Sequence, residues 1–224
     1  MRSVIAIIST LLLSVTIGHT QEFSSSYWHK GVVDLEGGKT MNGKLKYDLI
    51  AESVQLVGGN NLLKSYTVEN ILAFEIMDAM THRRRYFFSL PYEDENNYVK
   101  KHFFELLTEG NFITLMAREK IVEKVDATQN PYWGNTYNAR RLVLEYDYFL
   151  IDQYGVVRRV DMRKRELAFY LMKDKREELI AFVDVNRLNI KDREDLIQVI
   201  DYYNQIKEVE AAEKENMKTV NSGK

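Results

Sequence analysis

Cysteine is absent from all 224 residues. That excludes a disulfide scaffold, thiolate metal ligation, a cysteine nucleophile and a lipid-bearing N-terminal cysteine. Proline is nearly absent too, with two residues, Pro91 and Pro131, so long strands can run without interruption. The four histidines show no helical i, i+4 ligand spacing and no recognisable metal motif. No Gly-x-Ser-x-Gly elbow, Ser-x-x-Lys or phosphate loop occurs. Charge of one sign is lacking as well. With 31 basic against 33 acidic side chains, the net charge of −2 argues against a nucleic-acid binder, whose footprint is basic.

What is present begins with a leader. Arg2 gives a positive start, Val4 to Val15 form an apolar run, and Gly18 and Thr20 are small residues before Gln21. This order predicts a signal peptide over residues 1–20, cleaved between Thr20 and Gln21. The alternative, a retained membrane anchor, is disfavoured because Ser9, Thr10, Ser14 and Thr16 interrupt the run. No later stretch is apolar enough to cross a bilayer as a helix. The mature chain, about 200 residues, is long enough to bury a core as one or two domains.

Residues 27–160 read as an antiparallel β region. Leu45, Tyr47 and Leu49 alternate with Lys44, Lys46 and Asp48, the period of a strand wet on one face. Ser53–Val57, Leu62–Thr67 and Ile71–Met77 continue a meander, with turns at Gly37-Gly38 and at 58–61. Five strands in about fifty residues suit a small barrel or curled sheet. Arg85–Leu90, His102–Leu107, Phe112–Val122, Leu142–Ile151 and Val156–Val160 add further strands. Pro91–Lys101 and Asn130–Asn138 read as loops.

The period then changes to that of helices over residues 161–210. Leu167, Tyr170 and Leu171 predict a first helix from about Met162. Asp174 with Glu177 predicts a capping box for a second, ending near Arg187. Asn189 or Asp192 is expected to cap a third, which buries Leu196, Val199, Ile200, Tyr203 and Ile206. Charged and small polar residues after Glu208 predict fraying, then disorder over 211–224. The fold class expected is α+β: an antiparallel meander, barrel- or roll-like, followed by a helical C-terminus.

Candidate sites follow from residue types. The loop "NPYWGNTYN" carries Tyr132, Trp133 and Tyr137, rigid aromatics suited to gripping a protein or sugar, or else to covering the end of the sheet. Arg83, Arg84 and Arg85, after His82, form a basic cluster at a turn, a contact for an anionic partner or a solubilising surface. A second basic cluster contains Arg158, Arg159, Arg163, Lys164 and Arg165. Glu105, Glu145 and Asp147 fall within strands, where an inward carboxylate is costly unless functional. Alternation places Glu145 and Asp147 opposite Tyr146 and Tyr148. The acidic run at Glu93, Asp94 and Glu95 lacks the glycine and terminal acid of a helix-loop-helix calcium site and reads as a solvated loop. No residue is assigned a catalytic or metal-binding role, and no cofactor is expected.

The leader ending at Gln21, with "KGVVDLEGGKTMNGKLKYDL", "VENILAFEIMD" and "DLIQVIDYYNQI", resembles uncharacterised exported β-rich proteins of the Bacteroidota type. The first five strands also look like SH3- or Sm-type barrels at the level of pattern. The resemblance implies a place in the cell envelope, in the periplasm or at the outer-membrane periphery, and implies no reaction. The function expected is that of a non-enzymatic binding or assembly module whose partner is an envelope protein or a glycan. The alternative is a carbohydrate-binding protein or a glycoside hydrolase acting on envelope polysaccharide.

Overall fold

The computed structural model describes residues 22–59, 61–93, 96–129, 136–160, 162 and 170–222, with backbone alone at 126–129, 136–139, 170–171 and 219–222. Ten strands form one antiparallel sheet: β1 (His29–Leu35), β2 (Thr40–Asp48), β3 (Ser53–Val57), β4 (Leu63–Thr67), β5 (Ile71–Met77), β6 (Arg84–Glu93), β7 (Val99–Thr108), β8 (Ile113–Gln129), β9 (Thr136–Asp152) and β10 (Val157–Arg159). Two helices follow, α1 (Arg176–Asn186) and α2 (Arg193–Ser222). An antiparallel sheet succeeded by a helical C-terminus is the α+β class that the alternation and its later change of period predict.

Spatial order in the sheet is β10-β9-β8-β7-β6-β5-β1-β2-β3-β4. The meander after Leu35 turns through Gly37 and Gly38, both at positive φ (88° and 81°), which only glycine adopts without strain. β5 returns to pair with β1, so the first five strands run in the order β5-β1-β2-β3-β4 and continue into β6.

The sheet curls strongly. β2 and β8 are five strand steps apart in the order, or about 24 Å on a flat sheet. Yet Tyr47 on β2 donates its hydroxyl hydrogen to Glu119 on β8 at 3.0 Å. Alternation sends Leu45, Tyr47, Val54, Leu56, Phe74, Ile76, Phe87 and Phe103 to the concave side, all nearly inaccessible. The Phe74 and Phe87 rings stack 4.5 Å apart, with Phe103 edge-on to Phe74. Burying rings of this size supplies much of the driving force in a chain that has no covalent cross-link.

The helices fill the rest of the concavity. Leu179, Val183, Leu196, Val199, Ile200 and Tyr203 meet Ile113, Leu115, Ala117, Tyr148 and Leu150 in a second core. Asn204 on α2 fixes the contact. Its amide oxygen accepts from Phe112 N and Ile113 N, and its amide nitrogen donates to Ile113 O and Ile200 O. The side chain thus stands in for a neighbouring strand. Gly110 leaves the space for it: a Cβ there would lie 2.1 Å from Asn204 Nδ2. On the convex side Phe104, Met116 and Phe149 form a smaller aromatic cluster, edge-on under Tyr92.

Several boundaries differ from those expected. β8 runs past Val122 to Gln129, and β9 begins at Thr136, inside the stretch read as a loop over Asn130–Asn138, because cross-strand pairing continues where apolar alternation fades. Asp174 does not cap α1. Its carboxylate accepts from Tyr203 and Lys207 instead, and the N-terminus of α1 has no side-chain cap. Asp192 does serve α2, accepting from Glu194 N and Asp195 N. α2 continues to Ser222 rather than fraying after Glu208, so the tail expected over 211–224 is helical as far as that residue. Of the first helix expected, Leu167 falls outside the described residues, while Tyr170–Lys175 form a short 3-10 helix.

Candidate functional site

The basic cluster Arg83, Arg84 and Arg85 is not one surface patch. Asp78 starts the turn before β6, taking Met80 N and Thr81 N on Oδ1, and His82 sits at φ 55°. Once β6 begins, successive side chains alternate. Arg83 is exposed and pairs with Glu194; Arg84 is exposed and pairs with Glu75. Arg85 points inward, with only 8% of its side chain accessible. The expectation that Arg85 contacts a partner at the surface is therefore corrected: it is the centre of a buried ionic network.

Arg85 Nε and Nη2 grip Glu105 at 2.8 and 2.7 Å in a bidentate pair. Nη1 donates to Asp78 Oδ2 at 3.1 Å and to Tyr47 Oη at 3.0 Å, and Nη2 also meets Glu119. Arg193, at the start of α2, reaches the other side of Glu105 with both terminal nitrogens, at 3.2 and 2.7 Å, and lies over the Tyr146 ring. Ser24 Oγ donates to Asp78 Oδ2 at 2.5 Å. His29 Nε2 donates to Ser24 O while its Nδ1 accepts from Ala79 N, tying the N-terminal turn to this assembly. The network lies on the seam between the strand-lined core and the helix-lined one.

Burial alone would raise the carboxyl pKa of Glu105, but the two guanidinium groups hold it below the ordinary range. Asp78 is treated likewise. Burial pushes it up, while bonds from Ser24, Met80 N, Thr81 N and Arg85 bring it down to about 2. Burial pushes the Tyr47 hydroxyl well above its ordinary value, which keeps it a donor to Glu119. On the outer face, Glu145 is lowered by Lys124. Asp147, which burial alone would raise, is lowered by Lys120 and Arg159. Among the described residues, every carboxyl group with a resolved shift is lowered.

Next to the network lies an open cleft of about 380 Å³. One wall is the end of β2 and its turn, with Lys46, Asp48, Leu49 and Ile50; the other is β8, with Glu119, Lys120 and Ile121. Ser25, Ser26, Ser53, Gln55 and Leu144 complete the lining, and Tyr47 and Glu119 join the cleft to the buried ions.

A second carboxylate ties the turn after β2 to β7 and β8. β7 and β8 pair only between Glu105–Thr108 and Leu115–Ala117, then part. Glu52, in the turn after β2, reaches into the fork. Its Oε2 accepts from Phe103 N at 3.0 Å, and its Oε1 accepts from His102 Nδ1 at 2.6 Å and from Arg118 Nη2. Glu52 holds a left-handed φ of 48°, unusual for a non-glycine residue.

Tyr132 and Trp133 lie outside the described residues, between the ends of β8 and β9, and Tyr137 belongs to β9 with backbone alone described. Glu105 faces inward; Glu145 and Asp147 lie on the face opposite Tyr146 and Tyr148, as alternation predicts. Tyr47, Asp78, Glu119, Arg193 and Glu52 were not foreseen. Glu119 carried a signal, standing at the inward position after Leu115 and Ala117. No family model matches the sequence, and no curated protein or solved structure matches it.

Proposed function

We propose that this chain is a non-catalytic binding or assembly module of the cell envelope, delivered by its leader and working through the cleft between the β2 turn and β8. The observation that carries this reading is the cleft itself. Its walls come from segments far apart in sequence, its lining mixes aliphatic and polar groups, and the neighbouring acids are engaged in ion pairs. A pocket of a few hundred Å³ with a few convergent polar groups is a usual binding-site form. Arg83 and Arg84 remain a basic rim that an anionic partner surface can meet. The leading partner is an envelope protein. A glycan is the second reading, favoured by the serine, glutamine, lysine and aspartate groups that line the cleft.

Ile50 and Ile121, on opposite walls, are 84% and 36% exposed, so changing both to Glu alters the lining without opening the core. Affinity purification from envelope extracts, with a glycan array in parallel, should recover a stoichiometric ligand with the native chain and lose it with the double variant at unchanged melting temperature. Identical recovery by both, or a free monomer each time, refutes the cleft reading. Mass spectrometry of the mature N-terminus should find Gln21 first; an intact Met1 on cytosolic material refutes delivery by the leader.

A further inference from the structure

β8 and β9 pair in unbroken register from Ile113↔Asp152 to Gln129↔Thr136. Beyond Lys120 and Glu145 this ribbon has no other strand beside it among the described residues. A two-stranded ribbon alone in water is marginal. Proline and bulges, two of the usual protections of an open edge, are missing from both strands, and charged side chains such as Arg140, Arg141 and Glu145 are what the edge carries instead.

The outer edge of β9 is occupied by β10 only at Phe149–Ile151, after which Val160 N donates to Tyr148 O. Since Tyr148 O points outward, alternation turns the N–H and C=O groups of Tyr146, Leu144, Leu142 and Arg140 to the same edge. Among the described residues, no strand pairs with that stretch.

We propose that this edge of β9 is the contact surface for a second copy of the chain, paired antiparallel about a two-fold axis through Val143. The residues read as self-complementary in that register. Arg141 stands opposite Glu145 of the second copy, and Glu145 opposite its Arg141. Leu142 meets Leu144 and Leu144 meets Leu142; Arg140 lies across from Tyr146, and Val143 from itself. The outward backbone groups of Leu142 and Leu144 fall opposite one another, as a hydrogen-bonded pair requires. Opposite charges and apolar groups facing across strands are the pairs that stabilise a sheet.

Pairing ends at Ala139 and Asp147, because Val160 takes over at Tyr148. The result is a four-stranded sheet, β8-β9 against its symmetry mate, with Ile121, Val125, Leu142 and Leu144 of both copies on one face. The outer edge of β8 suits a second copy less well. Its register with Ile121 opposite Val125 sets Glu123 against Glu123. This contact adjoins the cleft, since Ile121 and Leu144 also line it, but it uses the backbone edge of β9 rather than the cleft walls.

Sedimentation of the full mature chain tests the pairing. The native chain should dimerise. Arg141→Glu, which sets two acids together, should raise the dissociation constant at least about tenfold, as should Glu145→Arg. An equimolar mixture of the two variants should recover the dimer, since each then supplies the charge the other needs. Leu142→Pro should also dissociate it, because that N–H faces the edge and serves no bond within the ribbon. In a chain without cysteine, Val143→Cys should oxidise to a single cross-linked dimer, its Cα atoms lying about 4.5 Å apart. A native chain that stays monomeric to about 100 µM, or a dimer indifferent to both charge reversals and to Leu142→Pro, overturns the proposal.

Discussion

Removing the guanidinium of Arg85 would leave Asp78, Glu105 and Glu119 together in a site that water scarcely reaches. Uncompensated buried charge is costly, so Arg85→Met is expected to destabilise the protein by about 3–5 kcal/mol in chemical denaturation. The exposed neighbour behaves differently. Arg84→Met, whose pair with Glu75 lies at the surface, should leave stability nearly unchanged. Equal effects at the two positions would remove the distinction between hub and rim. Sequence reading placed the three arginines together because they are adjacent. What separates them is where the turn ends and β6 begins, fixed by the Asp78 side chain bonding the turn's own backbone. Glu105 was legible as an inward acid. Its compensation by Arg193 was not, since that pair joins residues 88 positions apart.

At the scale of elements, the turn after β2 works as a wedge. Glu52→Gly would ease a backbone at φ 48°, a change that by itself stabilises. It would also strip the partner from Phe103 N, His102 and Arg118. The loss should outweigh the relief, with a net cost of about 2 kcal/mol. Hydrogen exchange should accelerate at the Phe103 amide ahead of the β5 and β6 amides, and unchanged protection there would refute the wedge. Strand positions and the helical C-terminus were legible because period-2 and period-3.6 patterns are local, whereas the return of β5 to β1 was not. The curl was not: it depends on side chains such as Tyr47 meeting Glu119 across 72 residues. The ends of β8, β9 and α2 escaped notice for another reason. There, backbone pairing and helical propagation extend elements past their apolar signal.

For the whole molecule, the buried acids set the response to pH. Asp78 falls from 3.8 to about 2 in the folded state, and Glu105 is lowered as well. Their stabilising contribution is complete above the pKa of the unfolded groups, about 4, and is lost as pH falls toward 2. Melting temperature should therefore drop steeply between about pH 4 and pH 2. Asp78→Asn should be less stable at neutral pH and show a shallower fall, and parallel curves for the two proteins would contradict the assignment.

The hub draws its members from the first turn at Ser24, from four strands and, last of all, from α2. A chain emerging from the ribosome can lay down every strand and still lack the cation that completes Glu105. The sheet alone would leave Arg85 to balance Asp78, Glu105 and Glu119 together, so the fold should gain much of its stability only once Arg193 arrives. On the export route proposed above, such late closure would keep the precursor pliable until α2 has been made.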